Sequence, residues 1–247
     1  MEWTDEGIVL GVRRHGESAA IVELLTRTHG RHLGIVRGGR SRRQQPVLQP
    51  GNRISVVWRA RIEEHLGTFA VEPLELRAGT IIQSGLALQG INLIGALLRL
   101  LPERDPHPAL FEAVEIIAGH LHDPGIAPAL MVKLELEVLA ELGFGLDLSE
   151  CAASGVREDL IYVSPKSGRA VSRSAGEPWK DRLLPLPAFV AGQDNAQSPT
   201  RQDILDAFGL SGYFLERDVF APRNTPIPDT RHAFIAEFSR LSAARKS

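Results

Sequence analysis

From Glu6 to about Leu76 the apolar residues come in short alternating runs separated by glycine and polar turns. GIVLGVRR (7–14), AAIVELLT (19–26), RHLGIVR (31–37), RISVVWRAR (53–61) and HLGTFAVEP (65–73) are rich in valine and isoleucine, and each predicts a strand of five to eight residues. The alternation is clearest in the fourth run, where Ile54, Val56, Trp58 and Ala60 share one face and Ser55, Val57, Arg59 and Arg61 the other. One face is core and the other carries charge, which puts Trp58 in the core and leaves Trp3 and Phe69 undecided. Five strands in about 75 residues predict a small barrel or sandwich.

After LRAGT the rhythm changes to that of helices, expected at 80–101, 107–122 and 127–142, with Gly143 as the stop. In the third, Met131, Leu134, Val138 and Leu142 recur every three or four residues, and Lys133 and Glu137 can pair on the outer side. Residues 144–200 read as irregular, with SGVRED, SPKSG and GQDNAQSPT supplying turns, before two closing helices near 200–220 and 229–244. The expected fold class is therefore α+β, with an all-β barrel in residues 1–79 and a mostly helical domain in 80–247 that carries an irregular insert at about 144–200. The chain has no internal repeat and no low-complexity tract.

Composition narrows the function classes. A hydrophobic content of 43% with 23% charged residues belongs to a folded globular chain, and 247 residues leave room for two domains. The net charge of −2 gives no global pull toward nucleic acid or acidic lipid. The balance is uneven, however: through Arg77 there are 12 arginines against 9 carboxylates, a net +3, and the remainder is −5. The single cysteine, Cys151, excludes an intrachain disulfide framework and points to a reducing compartment. The opening MEWTDEGIVLGVRRHG puts acids before its apolar run, the reverse of a signal peptide. The most apolar segment, around residues 79–102, holds Gln83, Ser84, Gln89 and Asn92 and suits a buried helix better than a membrane span. The expected location is cytoplasmic.

Catalytic signatures are missing from the sequence. It contains no phosphate-binding G-x-x-x-x-G-K-[ST], no G-x-S-x-G elbow and no H-E-x-x-H. His120 and His122 lie two apart on an expected helix and so face different ways, and Cys151 stands alone where a zinc site wants four ligands. An unrecognised nuclease is the enzyme reading to set against this, and no clustered carboxylates support it. The expectation is no enzyme, no catalytic residue, no cofactor and no metal site.

What the residues do offer is basic charge. The fourteen residues from Gly30 to Arg43, GRHLGIVRGGRSRR, hold five arginines and one histidine and no carboxylate. Arg31, Arg37, Arg40, Arg42 and Arg43 cluster around the end of the third strand, with Arg59 and Arg61 available on the fourth. Arginines on a small barrel can neutralise the phosphates of a single strand, while a charge run of this kind can also be a solvated face. Composition alone leaves both open. Aromatics are few, so phosphate contact carries more of the binding reading than base stacking.

The stretch EGIVLGVRRHGESAAIVELLTRTHGRHLGIVRGGRSRRQQPVLQPGNRISV resembles the amino-terminal barrel of the RecO family of bacterial recombination mediators and DNA-annealing proteins. KLELEVLAELGFGLDLSECAASG is similar to the family's helix ending in L-G-F followed by a cysteine motif. The resemblance implies an OB-fold barrel, a helical carboxy-terminal domain, binding to single- and double-stranded DNA, and annealing of complementary strands. It implies partnership with RecR and with the acidic tail of the single-strand-binding protein, help in loading RecA during gap repair, and a place at the nucleoid. By position, Arg31 is the arginine of the family's G-R pair, Arg37 takes the usual lysine place, and Arg40, Arg42 and Arg43 form the basic loop. Some members hold zinc through two C-x-x-C pairs. Here Cys151 is followed by Ser154, and the second pair falls on Val171 and Ser174, so the resemblance leaves Cys151 as a lone remnant. A different class also stands: an interaction scaffold whose helical domain binds acidic partner tails, with only incidental DNA contact.

Overall fold

The computed structural model describes residues 1–192 and 198–244. All five expected strands form: β1 (Glu2–His15), β2 (Ala19–Thr26), β3 (Gly30–Val36), β4 (Arg53–Arg59) and β5 (Thr68–Glu75). They close into a ring in the order β1-β2-β3-β5-β4. Every pairing is antiparallel except β3 with β5, where Ile35 lies opposite Thr68 and Val36 opposite Phe69.

β1 starts five residues earlier than its apolar run. Its first half pairs with β4 from Glu2↔Arg59 to Ile8↔Arg53, and its second half pairs with β2 as far as His15↔Ala19. A register shift between Val9 and Gly11 lets one strand serve both neighbours. The first half is invisible to periodicity because EWTDE has one apolar residue, Trp3, which faces Trp58 across the ladder.

The ring encloses Val9, Val22, Leu24, Ile54, Val56 and Trp58. Trp58 is buried, and its indole N–H donates to the Leu66 carbonyl at 3.1 Å, so its polar edge is satisfied. Phe69 is buried too and lies over Gly34, where a Cβ would stand 2.6 Å from the ring.

The chain between β3 and β4 returns through turns, and Asn52 pins it. This buried side chain donates to the carbonyls of Pro46 and Val47 at 2.8 and 2.9 Å, and accepts from the N–H groups of Arg77 and Ala78, both at 2.9 Å. Val47 and Leu48 dip into the core beside it. One amide therefore fixes both the basic loop and the strand-to-helix transition, and each of its donors and acceptors is used.

Helices follow as α1 (Ala78–Ile81), α2 (Gly85–Leu98), α3 (Pro108–His120) and α4 (Ala127–Glu141). The single helix expected at 80–101 is in fact broken: Ser84 is extended, with φ −119° and ψ 118°, and its hydroxyl caps the second piece by accepting from the Ala87 N–H. The chain divides into two compact units, Met1–Ala127 and Pro128–Ser247. The change from strand to helix falls between Glu75 and Ala78, but the first compact unit runs on because ion pairs tie the sheet to the residues after it. Arg27 binds Glu112, Arg99 binds Glu23, and both Arg53 and Arg77 bind Glu115.

In the second unit Met131, Leu134 and Val138 of α4 are buried while Lys133 and Glu137 are exposed. Gly143 ends this helix with φ +86°, and the N–H groups of Gly143 and Phe144 donate back to Ala140 and Leu139 at 2.9 and 2.8 Å. The segment that reads as irregular contains a small sheet, β6 (Leu160–Val163), β7 (Ala170–Ser172) and β8 (Leu184–Pro185) in the order β7-β6-β8, and a short α5 (Arg173–Gly176). Part of the turn stretch GQDNAQSPT, residues 193–197, lies outside the described residues. The closing helices are α6 (Arg201–Phe214), which continues as a π-turn over Leu215–Phe220, and α7 (Asp229–Ala244). A buried pair staples them to α4: Arg231 donates to the Glu135 carboxylate at 2.8 and 3.0 Å and to the Phe208 carbonyl, and Ser211 donates to the same carboxylate. Among the described residues no helix is long and apolar enough to cross a membrane.

Candidate nucleic-acid interface

β3 delivers the chain to Gly38, a turn residue with φ +66°, and the basic loop starts there. The Arg40 N–H donates to the Ser18 carbonyl at 3.0 Å, and its guanidinium donates to the carbonyls of Gly16 and Glu17 at 3.2 and 2.5 Å. The loop is thus fastened to the turn between β1 and β2. Arg37, Arg42 and Arg43 are exposed, and none of them forms an ion pair among the described residues.

The same fastening recruits two arginines that the sequence reading passed over. Arg13 and Arg14 lie at the end of β1, exposed and without a carboxylate partner among the described residues. Together with Arg40 they line a groove of about 330 Å³ between β1 and the loop. Their signal was present as adjacent arginines at a strand end, but only the hairpin pairing brings them beside residue 40.

The remaining expected residues are placed differently. The Arg31 side chain is 12% exposed; it donates to Glu23 at 2.9 Å, to Glu103 at 3.5 Å and to the Leu101 carbonyl at 3.3 Å. Arg59 is exposed but pairs with Glu2 at 3.0 Å across the β1–β4 ladder. Arg61 is exposed in the segment between β4 and β5, which also holds Glu63 and Glu64. The geometry therefore sets Arg13, Arg14 and Arg40 around one groove, leaves Arg37, Arg42 and Arg43 exposed along the same loop, and holds Arg31 and Arg59 by carboxylates.

The aromatic rings of the sheet pack on one another, away from the basic loop. Trp3 is stacked between His29 and Trp58, with ring centroids 4.1 and 5.5 Å away, so both its faces are occupied. His32 is buried against the same cluster, and burial pushes its pKa down to about 4 despite the Nδ1 hydrogen bond to the Leu33 carbonyl; the nearby charges of Arg104 and His29 act in the same direction as burial.

The residues at the family's zinc positions do not make a metal site. Cys151 is buried, and its Sγ accepts from the Ser172 N–H at 3.3 Å and the Ser172 hydroxyl at 3.4 Å. Burial pushes the thiol up, but the donors Ser154, Ser172 and the Ala153 N–H outweigh it and bring the pKa down to about 6. One sulfur with serine hydroxyls and Val171 around it lacks the donors that zinc requires. Among the described residues no three His, Cys, Asp or Glu side chains gather into a potential metal site. Hydrogen bonds hold this corner instead.

A closed five-stranded sheet bearing a basic loop, followed by a mostly helical region, defines an α+β protein whose cationic surface is local. Two family models match it in that order, Recombination protein O N terminal over residues 1–77 and Recombination protein O C terminal over residues 84–226. The chain is 60% identical over 240 residues to the DNA repair protein RecO of Methylocella silvestris, covering 97% of each chain. It is 59% identical over 239 residues to that of Methylobacterium nodulans, covering 96% of this chain and 97% of the relative. The DNA repair protein RecO of Mesorhizobium japonicum is 55% identical over 248 residues, covering 100% and 97%. The chain belongs to the RecO family.

Proposed function

We propose that this protein binds single- and double-stranded DNA through the basic loop and the end of β1, and anneals complementary strands without making or breaking covalent bonds. The observation that carries this reading is the groove that Arg13, Arg14 and the fastened Arg40 line, beside a loop whose Arg37, Arg42 and Arg43 are exposed and form no ion pair among the described residues. Two strands repel each other through their phosphates, and a surface of arginines screens both while leaving the bases free to pair. With family membership in support, the wider role is recombinational gap repair. In it the protein acts with RecR, meets the acidic tail of the single-strand-binding protein and helps load RecA, in the cytoplasm at the nucleoid. The OB-fold domain of residues 1–79 carries DNA contact, and the helical residues 80–247 carry partner contacts.

Annealing of complementary oligonucleotides by the intact protein tests this. Reversing charge at Arg42 and Arg43 together removes two phosphate contacts and adds two repulsions, so annealing and single-strand binding should each fall about tenfold or more at moderate salt. Equal rates for the two proteins would reject the loop as the site. Labelled DNA incubated with magnesium or manganese should stay intact, and cleavage products would overturn the non-catalytic reading.

A further inference from the structure

We propose that Trp179 and Arg182 form a second contact for single-stranded nucleic acid, in which a base stacks on the indole and the neighbouring phosphate meets the guanidinium. This rests on the DNA-binding reading above and adds to it a site in the second compact unit, apart from the basic loop. Of the three tryptophans, Trp58 is 1% exposed in the core and Trp3 is stacked on both faces, whereas Trp179 is 57% exposed. It stands in the tight helical turn Glu177–Arg182 between α5 and β8, and the Arg182 guanidinium lies 5.9 Å from its ring centroid.

The ring is displayed on a fixed support. Gly176, just before the turn, packs against Tyr162 of β6, where a Cβ would stand 2.5 Å from the tyrosine ring. After the turn, Leu184 and Pro185 of β8 pair with Val163 and Tyr162. Pro178 restricts the backbone beside the indole, and Arg173 of α5 is tied to Asp159 at 3.1 Å. A ring held in place spares a ligand the ordering cost of a mobile one.

The surrounding charges favour a nucleotide as the occupant. Lys180 is neutralised by Glu177 at 2.8 Å and also feels Asp181, and Arg173 is neutralised by Asp159. Arg182 is exposed and forms no ion pair among the described residues, so the turn offers one ring and one cation without a counter-charge. A nucleotide unit presents one base and one phosphate. A protein partner bound through apolar surface would find little beside the ring, because in the turn only Pro178 is apolar and Glu177, Lys180, Asp181 and Arg182 are charged and exposed. Stacking accepts any base, and a contact of one base leaves the rest of the strand free to pair.

The test uses the intact protein and oligothymidylate. Affinity is read by the anisotropy of a labelled strand at several salt concentrations, and the protein's tryptophan emission is read against an unlabelled one. Because Trp3 and Trp58 are covered, the oligonucleotide should quench emission through Trp179, and Trp179→Phe should abolish the quenching. This signal is read in the unaltered protein and does not depend on how a variant folds. Trp179→Ala should weaken binding about fivefold with the salt dependence unchanged, and Trp179→Phe should restore most of the affinity. Arg182→Gln should weaken binding and reduce the slope of log affinity against log salt by about 0.7. Undiminished affinity in Trp179→Ala, with no quenching in the unaltered protein, would overturn this contact while leaving DNA binding at the basic loop in place. No binding of oligothymidylate by the unaltered protein would overturn the DNA-binding reading and this contact together. Self-association in sedimentation that Trp179→Ala abolishes, with oligothymidylate affinity unchanged, would assign the ring to a contact between copies and overturn the proposal.

Discussion

Arg31 and Arg42 belong to one basic stretch, yet the first is enclosed by Glu23, Glu103 and the Leu101 carbonyl while the second stands in solvent. The charge of both is plain from the sequence. Their partners are not, because Glu103 and Leu101 are distant in the chain and reach Arg31 only through folding. Arg31→Ala is therefore expected to lower stability by about 1–2 kcal/mol in denaturant unfolding, and Arg42→Ala to leave it within about 0.5 kcal/mol. His32 carries a pH dependence whose sign is fixed by burial. Its folded pKa of about 4 lies below the unfolded value of 6.5, so the folded state binds fewer protons. The stabilisation is complete above pH 6.5 and is lost as pH falls toward 4, by about 3 kcal/mol in all. Unfolding midpoints at pH 7 and pH 4.5 should differ less in His32→Phe than in the unaltered protein, and an equal difference would contradict the assignment. Cys151→Ala leaves the Ser172 N–H and hydroxyl without their acceptor in a buried place, and should cost about 1–3 kcal/mol by the same measurement.

Elements were legible where a period repeated long enough. β4 and the buried stripe of α4 are readable because alternation or helical spacing persists through each, and β2 because its apolar residues run almost without a break. The first half of β1 is held by its ladder with β4, a non-local cause that EWTDE does not display. β6, β7 and β8 are four, three and two residues long, too short for a period to emerge. The break at Ser84 was hidden for the opposite reason, since apolar residues continue on both sides of it and only the capping hydroxyl marks the boundary. Gly143 was readable as a stop from residue type alone. Gly143→Ala places a Cβ at φ +86° and should cost about 1–2 kcal/mol in thermal or denaturant unfolding, whereas a substitution at exposed Lys133 should cost little.

At the scale of the whole molecule, the net charge of −2 conceals a local run of arginines, to which the fold adds two more. Loop arginines 37, 40, 42 and 43 are visible as a cluster, while Arg13 and Arg14 come beside Arg40 because the β1–β2 turn is tied to it. Arg59 is exposed and pairs with Glu2. If about five of the gathered arginines meet phosphates at once, the logarithm of single-strand affinity should fall with the logarithm of salt concentration with a slope of about −3.5. Arg42→Gln with Arg43→Gln should reduce that slope by about 1.4. This salt titration, on the intact protein and the double variant, tests the central claim most directly: a steep slope that flattens in the variant supports the arginine patch as the DNA site. A slope near zero, or one that the double substitution leaves unchanged, contradicts it.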